Sequence, residues 1–106
     1  MSDMQDEVSE LITKHSLSVS PEIRLLDLSS EVGELSKAML LSNAYGKKEG
    51  RKTQGLEEEI GDCLFSLLAL SDSLGIDISC ALRAAIQKYE GRLEQTGDAG
   101  SGGKDG

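Results

Sequence analysis

The chain has 106 residues, of which 38% are hydrophobic and only 3% aromatic, and its 19 acidic against 11 basic residues give a formal charge of -8. One domain with a modest core of Leu, Ile, Val, Ala and Met is the most such a length supports. The acidic balance leaves no basic face to track a nucleic-acid backbone, and the longest near-apolar stretch, CLFSLLAL, is too short to span a bilayer.

A single Pro and the lack of alternating Val/Thr runs predict an all-α fold. Helix one is expected over about 3 to 15, with Met4, Val8, Leu11 and Ile12 on one face. Helix two begins at SPEIR, where Ser20 is a good N-cap and Pro21 suits the first helical position, and it continues to about Ser42. Its apolar stripe is Leu25, Leu28, Val32, Leu35 and Met39. Residues 43 to 55, NAYGKKEGRKTQG, have no apolar periodicity and read as a loop.

Helix three is expected from about Leu56 to Leu74, closing on Gly75 in a left-handed position. Asp77 then caps helix four, from about Ile78 to Leu93. The stretch QTGDAGSGGKDG offers nothing to bury, so the expected division is a helical domain over 1–95 and a disordered Gly-rich tail over 96–106. From Cys63 to Leu70 helix three is apolar almost all the way round, and such a helix must be covered on more than one side. Four short helices can hardly do that alone, which points to a homo-oligomer. Cys63 and Cys80 lack metal-ligand spacing and read as small core residues of a reducing compartment. MSDMQDEVSEL has neither the basic nor the apolar region of a leader, so the expected setting is cytoplasmic.

The carboxylates carry the chemistry. SSEVGEL puts Glu31 and Glu34 side by side off one edge of the helix-two stripe, and LEEEIGD puts Glu59 and Asp62 in the same relation to helix three. A lone pair of this kind is usually a solvated face. Two pairs on helices that pack together can meet in one cleft, where their repulsion calls for a cation. Oxygen ligands without His or Cys select a hard divalent ion, Mg²⁺ or Mn²⁺, which leaves coordination positions for phosphate oxygens.

These residues resemble the MazG-like, all-α nucleotide pyrophosphohydrolase family: Glu31-x-x-Glu34, 24 residues, Glu59-x-x-Asp62, a GID turn, and QKYEGR on the next helix. The resemblance covers about residues 20 to 93 and implies a Mg²⁺-dependent enzyme that cleaves nucleoside triphosphates to monophosphate and pyrophosphate, in house-cleaning or nucleotide-pool control. It implies metal ligation by Glu31, Glu34, Glu59 and Asp62, phosphate contacts from Lys88 and Arg92, and assembly as a homodimer or homotetramer. The chain departs from the family's usual residues at Ser30 and Asp72.

Lys88 and Arg92 share one face of helix four, where cations also favour the helix C-terminus. Lys37, three after Glu34, reads as a surface ion pair. Lys47, Lys48, Arg51 and Lys52 in the loop are a solvated cluster or a mobile gate for an anionic substrate. His15 has no Glu three before it, so the Glu-x-x-His pair of di-iron bundles is absent. Two other readings stand beside the hydrolase: a non-catalytic helical adaptor, which needs no metal, and the same fold acting on a phosphoribosyl-nucleotide.

Overall fold

The computed structural model describes residues 3–47, 49 and 53–96. Among them are four helices and no strand: α1 Asp3–Lys14, α2 Pro21–Ser42, α3 Gln54–Ser73 and α4 Ile78–Thr96. The caps explain the starts. Ser20 Oγ accepts from the Ile23 N–H, with Pro21 next in line. Thr53 Oγ1 accepts from the Leu56 N–H at 3.1 Å, so α3 begins two residues inside the stretch expected to be loop. Asp77 Oδ1 accepts from the N–H groups of Ser79 (2.9 Å) and Cys80 (3.3 Å), as its place before α4 predicts. Thr96, expected to open the tail, is the last residue of α4, and the tail from residue 97 onward lies outside the described residues, as do Lys48, Arg51 and Lys52.

Three helices end in the same way. Leu17 N–H bonds Ile12 C=O, Tyr45 N–H bonds Leu40 C=O and Ile76 N–H bonds Ser71 C=O, each spanning a left-handed residue that satisfies a carbonyl of the last turn. Only α3 uses glycine there, Gly75 at φ +69°. α1 uses Ser16 and α2 uses Ala44, which the sequence does not signal.

α1 crosses α3 and makes the core: Val8 and Ile12 bury against Leu68 and Ala69, with Phe65 and Ile78 at the edge. Met4 and Leu11, expected on the same face, are exposed, and Gln5 is the residue with no exposed surface. Its Nε2 donates to the Ile76 carbonyl (2.7 Å) and its Oε1 accepts from the Ile78 N–H (2.9 Å). An apolar side chain there would leave two backbone groups of the α3–α4 turn unpaired, which is why an amide replaces a hydrocarbon in the core.

The expected α2 stripe is not buried within one chain. Leu28 and Leu35 are half-buried against α3, while Leu25 (52% exposed), Val32 and Met39 face out, as do Leu64 and Leu67 of α3. α4 leaves at 106° to α3 with Leu82, Ile86, Tyr89 and Leu93 exposed along it. The radius of gyration is 16.8 Å, where a compact chain of this length has about 13 Å. Neither cysteine is a core residue: Cys63 is half-buried and Cys80 lies exposed on α4, both as free thiols. No single helix among the described residues is long and apolar enough to cross a membrane.

Candidate metal centre

α2 and α3 run antiparallel, so the middle of one meets the first half of the other, and there Glu31, Glu59 and Asp62 converge. One carboxylate oxygen from each lies within 4.8 Å of the other two. Glu59 and Asp62 share a face of α3 because they are three apart, and Glu31 looks across from α2. Glu34, one turn on from Glu31, is exposed and stands outside this group of three.

The electrostatics are those of an uncompensated acidic nest. Glu59 is half-buried, and its Oε1 is buried without any hydrogen-bond partner. Burial pushes its pKa above the ordinary carboxylate value, and Asp62, Glu31, Glu34 and Glu58 push the same way. Glu34 therefore acts in the field of the cluster without touching it. The Cys63 thiol is also pushed up, by burial first and then by Glu31, Glu59 and Asp62. Cys63 is the neighbour that the sequence reading missed. Its position four after Glu59, on the same helical face, was the available signal.

The cluster fits a hard divalent cation. All converging donors are carboxylate oxygens, and a buried oxygen with no partner is stabilised by any positive charge that reaches it. Glu31, Glu59 and Asp62 would hold such an ion through hard oxygen donors, the kind that Mg²⁺ takes.

Lys88 and Arg92 are on another arm of the molecule. Both lie against the ring of Tyr89, with Lys88 Nζ 5.1 Å and Arg92 Cζ 5.4 Å from its centroid, so one aromatic side chain gathers both cations. Lys88 lies ten residues, about 15 Å, along α4, and Glu59 about 21 Å back from the end of α3, which at the observed angle leaves the two on the order of 20 Å apart within one chain. Lys37 is exposed and forms no ion pair among the described residues, contrary to expectation. Lys47 and His15 are exposed as well.

Residues 19–96 match the family model described as the MazG nucleotide pyrophosphohydrolase domain. The chain is 34% identical over 96 residues to YpjD of Bacillus subtilis, a protein named as uncharacterized, covering 87% of this chain and 85% of that one. The crystal structure of that protein superposes with a TM-score of 0.67 at 36% identity, over 84% of this chain and 91% of the other. A 48-residue stretch is 44% identical to the nucleoside triphosphate pyrophosphohydrolase/pyrophosphatase MazG of Thermotoga maritima, 45% of this chain but 19% of that longer protein.

Proposed function

The chain belongs to the MazG nucleotide pyrophosphohydrolase family, and from that premise we propose that it hydrolyses nucleoside triphosphates to monophosphate and pyrophosphate with Mg²⁺ or Mn²⁺ held by Glu31, Glu34, Glu59 and Asp62. The observation that carries this reading is the buried, unpartnered oxygen of Glu59 facing Glu31 and Asp62. Three acids pressed together at that cost to the fold are better explained as ligands than as a surface.

When bound, the divalent ion lowers the pKa of a water and neutralises charge on the phosphate chain. The rest falls to the side chains. One of the clustered carboxylates is placed to take a proton from the attacking water. Lys88 and Arg92 hold the departing pyrophosphate through charge-assisted hydrogen bonds, and Tyr89 keeps them together. Because they stand on the order of 20 Å from the acids of their own chain, they serve the cluster of a second copy. A homodimer or homotetramer also covers the open apolar faces of α2, α3 and α4. The free thiols Cys63 and Cys80 suit a reducing cytoplasm.

The test is pyrophosphate release from a panel of nucleoside triphosphates and phosphoribosyl-nucleotides, with Mg²⁺, with Mn²⁺ and with chelator, alongside sedimentation. Metal-dependent release by an oligomer supports the reading. Release that persists in chelator sinks the metal assignment, and an active monomer sinks the shared site. A chain that turns over only phosphoribosyl-nucleotides moves the substrate class. A chain inert on all of them leaves the adaptor.

A further inference from the structure

Two helical turns from the carboxylates, the α1–α2 connection roofs a cavity of about 300 Å³ that the proposed chemistry does not use, lined by Ile12, Val19, Arg24, Ala69, Asp72 and Ser73 among others. Arg24 stands seven residues before Glu31 on α2, and Ala69 seven after Asp62 on α3. Seven residues return to the same helix face about 10.5 Å away, and on antiparallel helices both displacements run the same way. The cavity and the acid cluster therefore lie on one seam.

The walls carry opposite charges that do not neutralise each other. The Arg24 side chain is only 11% exposed. It donates one bond to the Leu17 carbonyl at 2.6 Å, and its other terminal nitrogen stands 4.0 Å from Asp27, at the limit of an ion pair. Asp72 is half-buried, and its carboxylate accepts no hydrogen bond and pairs with no cation among the described residues, Arg24 included. A free phosphate would gain from Arg24 and be repelled by Asp72, and a bare cation the reverse. A neutral group with acceptor and donors along one edge satisfies both walls, and Ile12, Val19 and Ala69 supply apolar surface for its faces. That is the description of a nucleobase. Guanine matches best, because its N1–H and 2-amino group can donate in parallel to one carboxylate while O6 and N7 accept from a guanidinium.

We propose that this cavity is a guanine pocket with Asp72 and Arg24 as its reading residues; the reading of the chain as a nucleotide hydrolase enters only in naming nucleotides as the source of the base. The guanine belongs either to the molecule being hydrolysed, since one nucleotide can reach along the seam to the acids, or to a separate effector nucleotide.

Calorimetry with phosphate-free guanosine, cytidine and uridine on the full chain tests the pocket without relying on catalysis. Guanosine should bind, and cytidine and uridine should bind roughly tenfold or more weaker, the worth of one charge-assisted hydrogen bond. Asp72→Asn should remove that preference and leave melting unchanged. The milder Arg24→Lys, which keeps the charge and loses the fork, should weaken guanosine alone. If guanosine raises the KM for triphosphate hydrolysis, the base is the substrate's. If it binds without affecting KM, the source is a second nucleotide. Absence of guanosine binding at millimolar concentration, or binding that Asp72→Asn leaves intact, overturns the pocket, and pyrophosphate release by the same protein shows that the hydrolase reading survives it.

Discussion

Asp77 and Glu59 are two carboxylates of one small chain whose surroundings have pulled their pKa values in opposite directions. At the corner where α3 turns into α4, Asp77 is held below the ordinary carboxylate value, chiefly by the Cys80 N–H that it accepts and also by that of Ser79. Beside it Gln5 satisfies both backbone groups of the turn, and the apolar core closes over them. On the α2–α3 seam the opposite holds: Glu59 is pushed up by burial and by four acids, and one of its oxygens has no partner. The corner's polar groups are paired within a single chain, while on the seam an acid oxygen is left without a partner. The fold thus leaves its unmet polar demand on the α2–α3 seam. An ion or a substrate has most to gain there.

The largest expected effect comes from breaking the seam. If the proposed metal site is right, Glu59→Gln or Asp62→Asn should reduce pyrophosphate release by roughly two orders of magnitude or more, because each would remove a charged oxygen from a site with no His or Cys donor. The metal-free protein should melt at the same temperature or higher, since the change removes repulsion. Exposed Glu57 is the control and should change little. Loss of activity through unfolding, or activity that survives both changes, would erase the contrast between the two regions.

Breaking the corner should do the reverse. Gln5→Leu leaves the Ile76 carbonyl and the Ile78 N–H buried without partners and should cost about 1–3 kcal/mol of stability. Leu68→Ala opens a cavity beneath Val8 and Ile12 and should cost about 2–5 kcal/mol. Chemical denaturation measures both. At temperatures where the variants remain folded, metal affinity should stay within a few-fold of wild type.

A pH titration of the metal-free protein sharpens the comparison through its signs. Asp77 is more acidic folded than unfolded, so its contribution is present above the ordinary carboxylate pKa of about 3.9 and fades as pH falls through its lower folded value. Glu59 is less acidic folded, so its contribution is present below the ordinary range and is lost as pH rises through its raised value. Asp77→Asn should therefore flatten the acid limb of the stability profile. Glu59→Gln should flatten the decline on the other side. Saturating Mg²⁺ should abolish that decline in the wild type and leave the acid limb alone.

Much of this contrast can be read from the residues. Ser20, Pro21, Asp77 and Gly75 mark helix ends because their side chains or backbone freedom act locally, and the 31/34 and 59/62 spacings place the acids beside stripes. What could not be read depends on how helices cross. Gln5 sits where a hydrocarbon fits the pattern, and only the position of the α3–α4 turn against α1 explains it. Thr53 was hidden by the glycines around it, and Ser16 and Ala44 take left-handed conformations that no composition rule assigns to them. Periodicity marks the α2 stripe as one face of its helix, and it tells which side is apolar and not whether that side is covered.

The smallest expected effect concerns residues 97–106, GDAGSGGKDG, on which neither region should depend. Ordering a residue costs about 1–2 kcal/mol, and this stretch offers Ala99 as its one apolar side chain against five glycines. The match to the family ends at residue 96, and the corner and the seam are each built from residues before it. Deleting Gly97 through Gly106 should leave denaturation midpoint, metal affinity and pyrophosphate release within error of the full chain. A drop in stability alone would mean that the stretch docks on the corner, which would then not be finished by the four helices. A drop in metal affinity alone, with the midpoint unchanged, would mean that it reaches the seam, and Asp98 and Asp105 would be the first residues to test as further oxygen donors.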